Sequence, residues 1–208
     1  MVELYRPKIG GNIVDGKLAR RRGEALENAI LDETWKLLQQ VGYDNITMDE
    51  VAGVAKTNKN TIYRRWAQKC LLVFAAISRQ APNIIFNTED HGSLRADLKA
   101  VFHSLDPIFL IVKPKDLREL IADMFSTMSS YNLYSNINKE NDIRKAVEII
   151  IDRAYQRMEI SKSLVKIPDR ALNLPSLLIV NEIILKGTLS EESIEDIIDN
   201  ILLPIYYS

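Results

Sequence analysis

The sequence predicts an all-helical chain. Apolar residues recur three and four apart through most of its length, Ser, Thr and Asn stand where they can cap helices, and no segment reads convincingly as a strand. Residues 1–22 form a basic arm expected to be flexible, in which Lys17, Arg20, Arg21 and Arg22 follow a glycine-rich stretch. Glu24–Gln40 is the first expected helix, with Leu26, Ala29, Ile30, Thr34, Leu37 and Leu38 on one side, and Gly42 closes it. Thr47 caps a second, short helix, because its hydroxyl can accept from the next turn while Glu50, three residues on, reaches back. Val51, Ala52 and Ala55 give that helix a small apolar face, and Lys56-Thr57-Asn58 is a polar turn. Asn58 caps a third helix, in which Ile62 and Trp66 point one way and Lys59, Asn60, Thr61, Arg64 and Arg65 lie around the other side. These three helices are expected to close over Leu26, Ile30, Leu37, Leu38, Ile46, Val51, Ile62 and Trp66, as a domain spanning 23–69.

Residues 70–208 read as a second helical domain. Leu71–Ala81 ends at Pro82; Ser93–Leu105 is capped by Ser93 and broken near Pro107; Asp116–Met128 follows Pro114. Ser129–Asn138 is polar and is expected to be loop, and Asn141–Ile160 resumes the helical period. Pro168–Lys186 is apolar on two sides, more than one face can use. The final helix, Glu191–Tyr206, is capped by Ser190, has acids in its first turns where the helix dipole favours them, and carries the stripe Ile194, Ile197, Ile198, Ile201, Leu202 and Ile205. Together with Leu177, Val180 and Ile184 of the preceding helix, this stripe is the expected contact with a second copy, two helices from each subunit making a four-helix bundle about a two-fold axis.

Two short helices joined by a tight turn, the second with polar and cationic residues opposite its packed side, suit a major groove. That groove admits a helix, and residues near the helix N-terminus reach base edges, Lys or Arg favouring guanine and Asn adenine. Lys59 and Asn60 stand at that end, and the Arg20–Arg22 run can lie along phosphates or enter a minor groove. Net charge is −1, but Met1–Cys70 holds 12 Lys and Arg against 9 Asp and Glu, and the remainder 15 against 19. Counterion release depends on local contacts, so the whole-chain sum does not argue against DNA.

These residues resemble the tetracycline-repressor (TetR) family of bacterial transcription regulators. The resemblance rests on Gly42-Tyr43 and Ile46-Thr47, Val51-Ala52, Thr61-Ile62-Tyr63, Trp66, and Lys69 with Leu72, within Ala25–Phe74. It implies that Thr47, Tyr63 and Lys69 contact phosphates and that Lys59, Asn60, Thr61 and Arg64 face the groove. Two positions depart from the pattern: Lys56 stands where the family usually has the turn glycine, and Asn60 where glycine, alanine or proline is common. The resemblance further implies a homodimer on a double-stranded, pseudo-palindromic operator, more often a repressor than an activator, released by a small effector held among the middle helices. Phe102, His103, Phe109, Met124, Phe125, Met128, Tyr131, Tyr155 and Met158 are the candidates to line such a cavity, and their character suits an apolar or aromatic effector.

Other function classes find less support. Two histidines, one cysteine, and no HExxH, CxxC or phosphate loop leave no catalytic, metal or cofactor site to nominate. Cys70, alone, forms no intrachain disulfide and is expected to be buried. No apolar run is long enough for a membrane span, and no signal-like start is present, so the expected location is the cytoplasm. The alternatives to a ligand-switched regulator are a protein-interaction module and a constitutive DNA binder with a filled core.

Overall fold

The computed structural model describes residues 16–81, 84–127 and 142–208, with side chains from Gly23 onward. Pro82, Met128, Tyr131 and the expected loop at 129–138 lie outside the described residues. The chain divides into two compact units, Met1–Gln80 and Ala81–Ser208, and among the described residues every regular element is helical.

The first unit contains α1 (Gly16–Val41), α2 (Met48–Val54), α3 (Lys59–Tyr63) and α4 (Lys69–Gln80). The backbone of α1 begins at Gly16, well ahead of Glu24, so Lys17 and Arg20–Arg22 are helical rather than part of a loose arm. Lys, Leu, Ala and Arg are all strong helix formers, which accounts for the extension. Gly42, with φ of 79°, ends α1 in the left-handed conformation that glycine adopts without steric cost. Ile30, Leu38, Tyr43, Ile46, Val51, Ile62 and Trp66 are buried together with Leu72, Val73, Ala76 and Ile77 of α4. Leu26 and Leu37, expected in that core, are only half-buried. Thr34 is buried inside α1 and its hydroxyl donates to the Ile30 carbonyl at 2.7 Å, which satisfies it without a tertiary partner. Cys70 is buried, as expected.

The second unit contains α5 (Leu94–His103), α6 (Asp106–Ile111), α7 (Pro114–Thr127), α8 (Asp142–Gln156), α9 (Asp169–Lys186) and α10 (Glu191–Asp196), which continues through a π-helical stretch at Ile197–Leu202 into α11 (Leu203–Tyr207). Helix α6 is absent from the sequence expectation. Pro107, expected to break α5, occupies the first turn of a new helix, where its missing N–H costs nothing. Helix α9 packs against α7 and α8, and α5 against α8.

The final helix corrects the expected dimer contact. Ile194, Ile197, Ile198 and Leu202 are buried within the single chain, because the π-helical stretch packs on α5 and α9 of the same unit. Ile194, Ile198, Leu202 and Tyr206 stand four apart, a spacing that drifts by about 40° per step around an α-helix. The wider π turn takes up that drift and keeps all four on the core side. The surface left open is on α9, where Leu177 is exposed and Val180 and Ile184 are half-buried; in the last helix Ile205 is exposed and Ile201 half-buried.

Pro175 lies inside α9 and has no N–H for the Ala171 carbonyl four residues earlier. The hydroxyl of fully buried Tyr206 donates to that carbonyl at 3.0 Å, and burial pushes the Tyr206 phenol well above its usual range. At the other end of α9, Gly187 has φ of 76°, and a Cβ there would lie 2.1 Å from the Pro114 carbonyl oxygen. Only glycine fits. An ionic cluster around buried Asp97 ties α5 to the end of α8: Asp97 pairs with Arg157 at 3.0 Å and with Arg153 at 3.6 Å, and Arg157 reaches Asp90 and Glu159. Glu159 also accepts from the Leu94 N–H at the start of α5. Burial would raise the Glu159 pKa, but the bonds from Leu94, Tyr207 and Arg157 outweigh it and hold the carboxyl below its usual range.

Candidate nucleic-acid interface

The local chemistry of Thr47–Lys69 builds a rigid pair of helices. Thr47 is the N-cap of α2: the Glu50 N–H donates to its Oγ1 at 3.2 Å and the Thr47 N–H donates to the Glu50 carboxylate at 3.0 Å. Helix α2 ends in a pair of reversed bonds, from the Thr57 N–H to the Ala52 carbonyl and from the Lys56 N–H to the Gly53 carbonyl. That pattern needs a left-handed residue between them, and Lys56 takes it with φ of 51°. The departure from a turn glycine is therefore accommodated by a strained lysine, not by a differently shaped turn. Asn58 then caps α3, its Oδ1 accepting from the Thr61 N–H at 2.8 Å and from the Thr61 hydroxyl at 3.0 Å.

Helix α3 is anchored by Ile62 and by Trp66 just beyond its end, both buried. Lys59, Asn60, Tyr63 and Arg64 are exposed on its other side, as the spacing requires. Thr61, expected in the groove-facing set, is half-buried, and its hydroxyl is committed to the Asn58 cap. Lys69 is also differently engaged. Its ammonium donates to the Tyr43 carbonyl at 3.1 Å and sits 4.2 Å from the centre of the Tyr43 ring, so it ties the start of α4 to the α1–α2 connection. The side chains of Arg20, Arg21 and Arg22 lie outside the described residues.

Two features escape a sequence reading. Arg65 turns back to α1, donating to the Gly23 carbonyl at 3.2 Å and lying 3.6 Å from Glu27. Lys59 is ion-paired with Asp49 of α2 at 2.6 Å, and that bond raises the lysine pKa above its usual value. Both pairs join residues ten or more positions apart on different helices, where no local spacing rule applies.

In the second unit, the described candidate cavity residues differ in their exposure. Phe102 is fully buried in the core, and Phe109, Met124 and Phe125 are half-buried. His103 sits at the surface between two carboxylates, its Nδ1 2.9 Å from Asp106 and its Nε2 3.1 Å from Glu191. Tyr155 is 43% and Met158 92% exposed, and with Gln156, Ile160 and Ser161 they line an open depression.

Residues 30–76 match the family described as "Bacterial regulatory proteins, tetR family". An uncharacterized HTH-type transcriptional regulator of Mycobacterium bovis is 29% identical over 185 residues, 86% of each chain. A DNA-binding transcriptional repressor TetR of Mycobacteroides abscessus is 43% identical over 86 residues, 40% of this chain and 44% of that one. An uncharacterized HTH-type transcriptional regulator of Bacillus subtilis is 37% identical over 60 residues, 29% of this chain and 30% of the other.

Proposed function

We propose that this chain is a DNA-binding transcriptional regulator of the kind described by the tetR family model that its residues 30–76 match, and that it works as a dimeric repressor of a pseudo-palindromic operator, relieved by a small apolar or aromatic effector. The observation that carries this is the outer side of α3. Lys59, Asn60, Tyr63 and Arg64 stand exposed there while Ile62 and Trp66 hold the helix to its unit. Lys59 and Asn60 read base edges, Tyr63 and Thr47 contact phosphate, Arg64 extends the charged face, and Arg20–Arg22 supply sequence-independent affinity.

A single short helix reads only a few base pairs, so useful specificity needs two heads about one DNA turn apart. The open side of α9, with Leu177, Val180 and Ile184, is the proposed partner surface, joined by Ile201 and Ile205. The sense of regulation follows the Mycobacteroides abscessus relative, whose name is that of a repressor. The effector is proposed to act from the second unit, with Phe109, Met124 and Phe125 the aromatic and methionine side chains that remain accessible. Among the described residues no helix is long and apolar enough to cross a membrane, and the proposed place of action is the cytoplasm, where the DNA is.

In vitro selection from a random duplex library with the full-length chain at near-physiological salt tests the reading. An inverted repeat with half-sites about 10 bp apart supports it. Recovery of a single, non-repeated half-site would remove the dimer, and no enriched motif would remove sequence-specific binding.

A further inference from the structure

Lys59 opens the recognition helix and points its ammonium at a carboxylate of its own protein. Its Nζ lies 2.6 Å from Asp49 Oδ2 and 5.8 Å from the centre of the Tyr63 ring. Asp49 is in the first turn of α2, exposed, and takes no part in the cap, which Thr47 and Glu50 complete between themselves. Of the four cations in 56–65, Lys59 and Arg65 are paired with acids, which leaves the positive field of the reading head largely to Lys56 and Arg64.

We propose that Asp49 sets the specificity of DNA binding by acting as an intramolecular competitor for Lys59. Random DNA offers Lys59 mainly phosphate oxygens, and exchanging one anionic oxygen for another gains little while Asp49 is left facing the backbone charge. A guanine at the right position offers two acceptors, N7 and O6, on one base edge and away from the phosphates. The exchange is favourable there and close to neutral elsewhere, so the acid lowers non-specific affinity more than specific affinity. A lysine without that acid would bind any duplex more tightly and choose less well.

This inference rests on the proposed role of α3, and the experiment separates the two. Full-length wild type, Asp49→Asn, Lys59→Gln and the double variant are titrated into a random-sequence 30-bp duplex, and into the duplex that wild type selects, between 50 and 200 mM salt. Each phosphate contact contributes about −0.9 to the slope of log affinity against log salt, roughly a factor of three over that range. Asp49→Asn is expected to tighten random-duplex binding several-fold, to steepen its salt slope by about one contact, and to narrow the ratio of selected to random affinity. The same substitution in the Lys59→Gln background is expected to change none of these, and Asp49→Glu to restore wild-type behaviour. An unchanged random-duplex slope in Asp49→Asn overturns the inference, as does an equal effect in the Lys59→Gln background, which would make Asp49 a general repulsive charge. Wild type that holds no duplex at 50 mM salt removes the DNA-reading role of α3 itself, and the inference with it.

Discussion

Tyr206 and Ala171 are joined across 35 residues by one hydrogen bond, from the tyrosine hydroxyl to the carbonyl that Pro175 strands inside α9. The bond fixes the last helix against the middle of α9. A buried carbonyl without a donor costs about 1–3 kcal/mol. The tyrosine therefore offsets the defect that the proline introduces.

Tyr206→Phe keeps the ring and removes the donor. It is expected to destabilise the second unit by about 1–2 kcal/mol, a fall of several degrees in Tm. Pro175→Ala restores an N–H to α9, so the penalty of Tyr206→Phe is expected to shrink in that background. Equal penalties in both backgrounds, measured by urea unfolding, would separate the hydroxyl from the proline.

Gly187→Ala is expected to be severe. The added Cβ would meet the Pro114 carbonyl oxygen at 2.1 Å, and the left-handed backbone adds its own cost. A loss of about 3 kcal/mol or more, or failure to accumulate as folded protein, is the expected result. Thermal melts of the purified variant decide it.

Lys56→Gly and Met158→Gly relieve strain. Both residues sit at positive φ, 51° and 58°, at the ends of helices. A left-handed non-glycine residue costs about 1–2 kcal/mol, and glycine returns part of that as unfolded-chain entropy, about 0.5–1 kcal/mol. Each variant is expected to gain about 0.5–1 kcal/mol in its own unit, read as a shift of the urea midpoint. A loss of stability in either would mean that the lysine or methionine side chain contributes more than its backbone costs.

What was legible in the sequence was local. Thr47, Asn58, Ser93 and Ser190 were readable as caps because a cap is decided within three residues, and each has the expected bond. The exposed and buried sides of α3 were readable for the same reason. Pairings between distant residues were not: Asp49 with Lys59, Arg65 with Glu27, and Tyr206 with Ala171 have no signature in spacing. The stripe of the last helix was visible, but a stripe does not say what covers it, and Ile194, Ile197, Ile198 and Leu202 turned out to serve their own unit's core. Pro107 showed the same limit, since a proline ends one helix and starts another with equal ease. Phe102, Tyr155 and Met158 share an apolar character that cannot distinguish core from surface.

Acid is expected to loosen the second unit. Asp90, Glu159, Glu182, Glu191 and Asp199 are all held below their ordinary values of 3.8 for Asp and 4.5 for Glu. For Asp199 the bond from Arg95 is the main cause, and for Glu191 the bond from Lys99. A carboxylate with a depressed folded pKa contributes stability above its unfolded pKa and loses it as pH falls through the folded value. Tm is therefore expected to be level from neutrality to about pH 5 and to fall below about pH 4.5, with Arg95→Gln flattening part of the decline. A Tm that already declines between neutrality and about pH 5 would contradict the carboxylate account.

The central claim is that the outer side of α3 reads sequence through Lys59. It is tested most directly by measuring, for wild type and Lys59→Ala, the affinity of the selected duplex and of every single-base substitution within one half-site. The expected result is a loss of discrimination worth about 1–3 kcal/mol at one symmetric position, with the other positions unaffected. A uniform loss of affinity at every position, with discrimination intact, would contradict the claim and make Lys59 a phosphate contact.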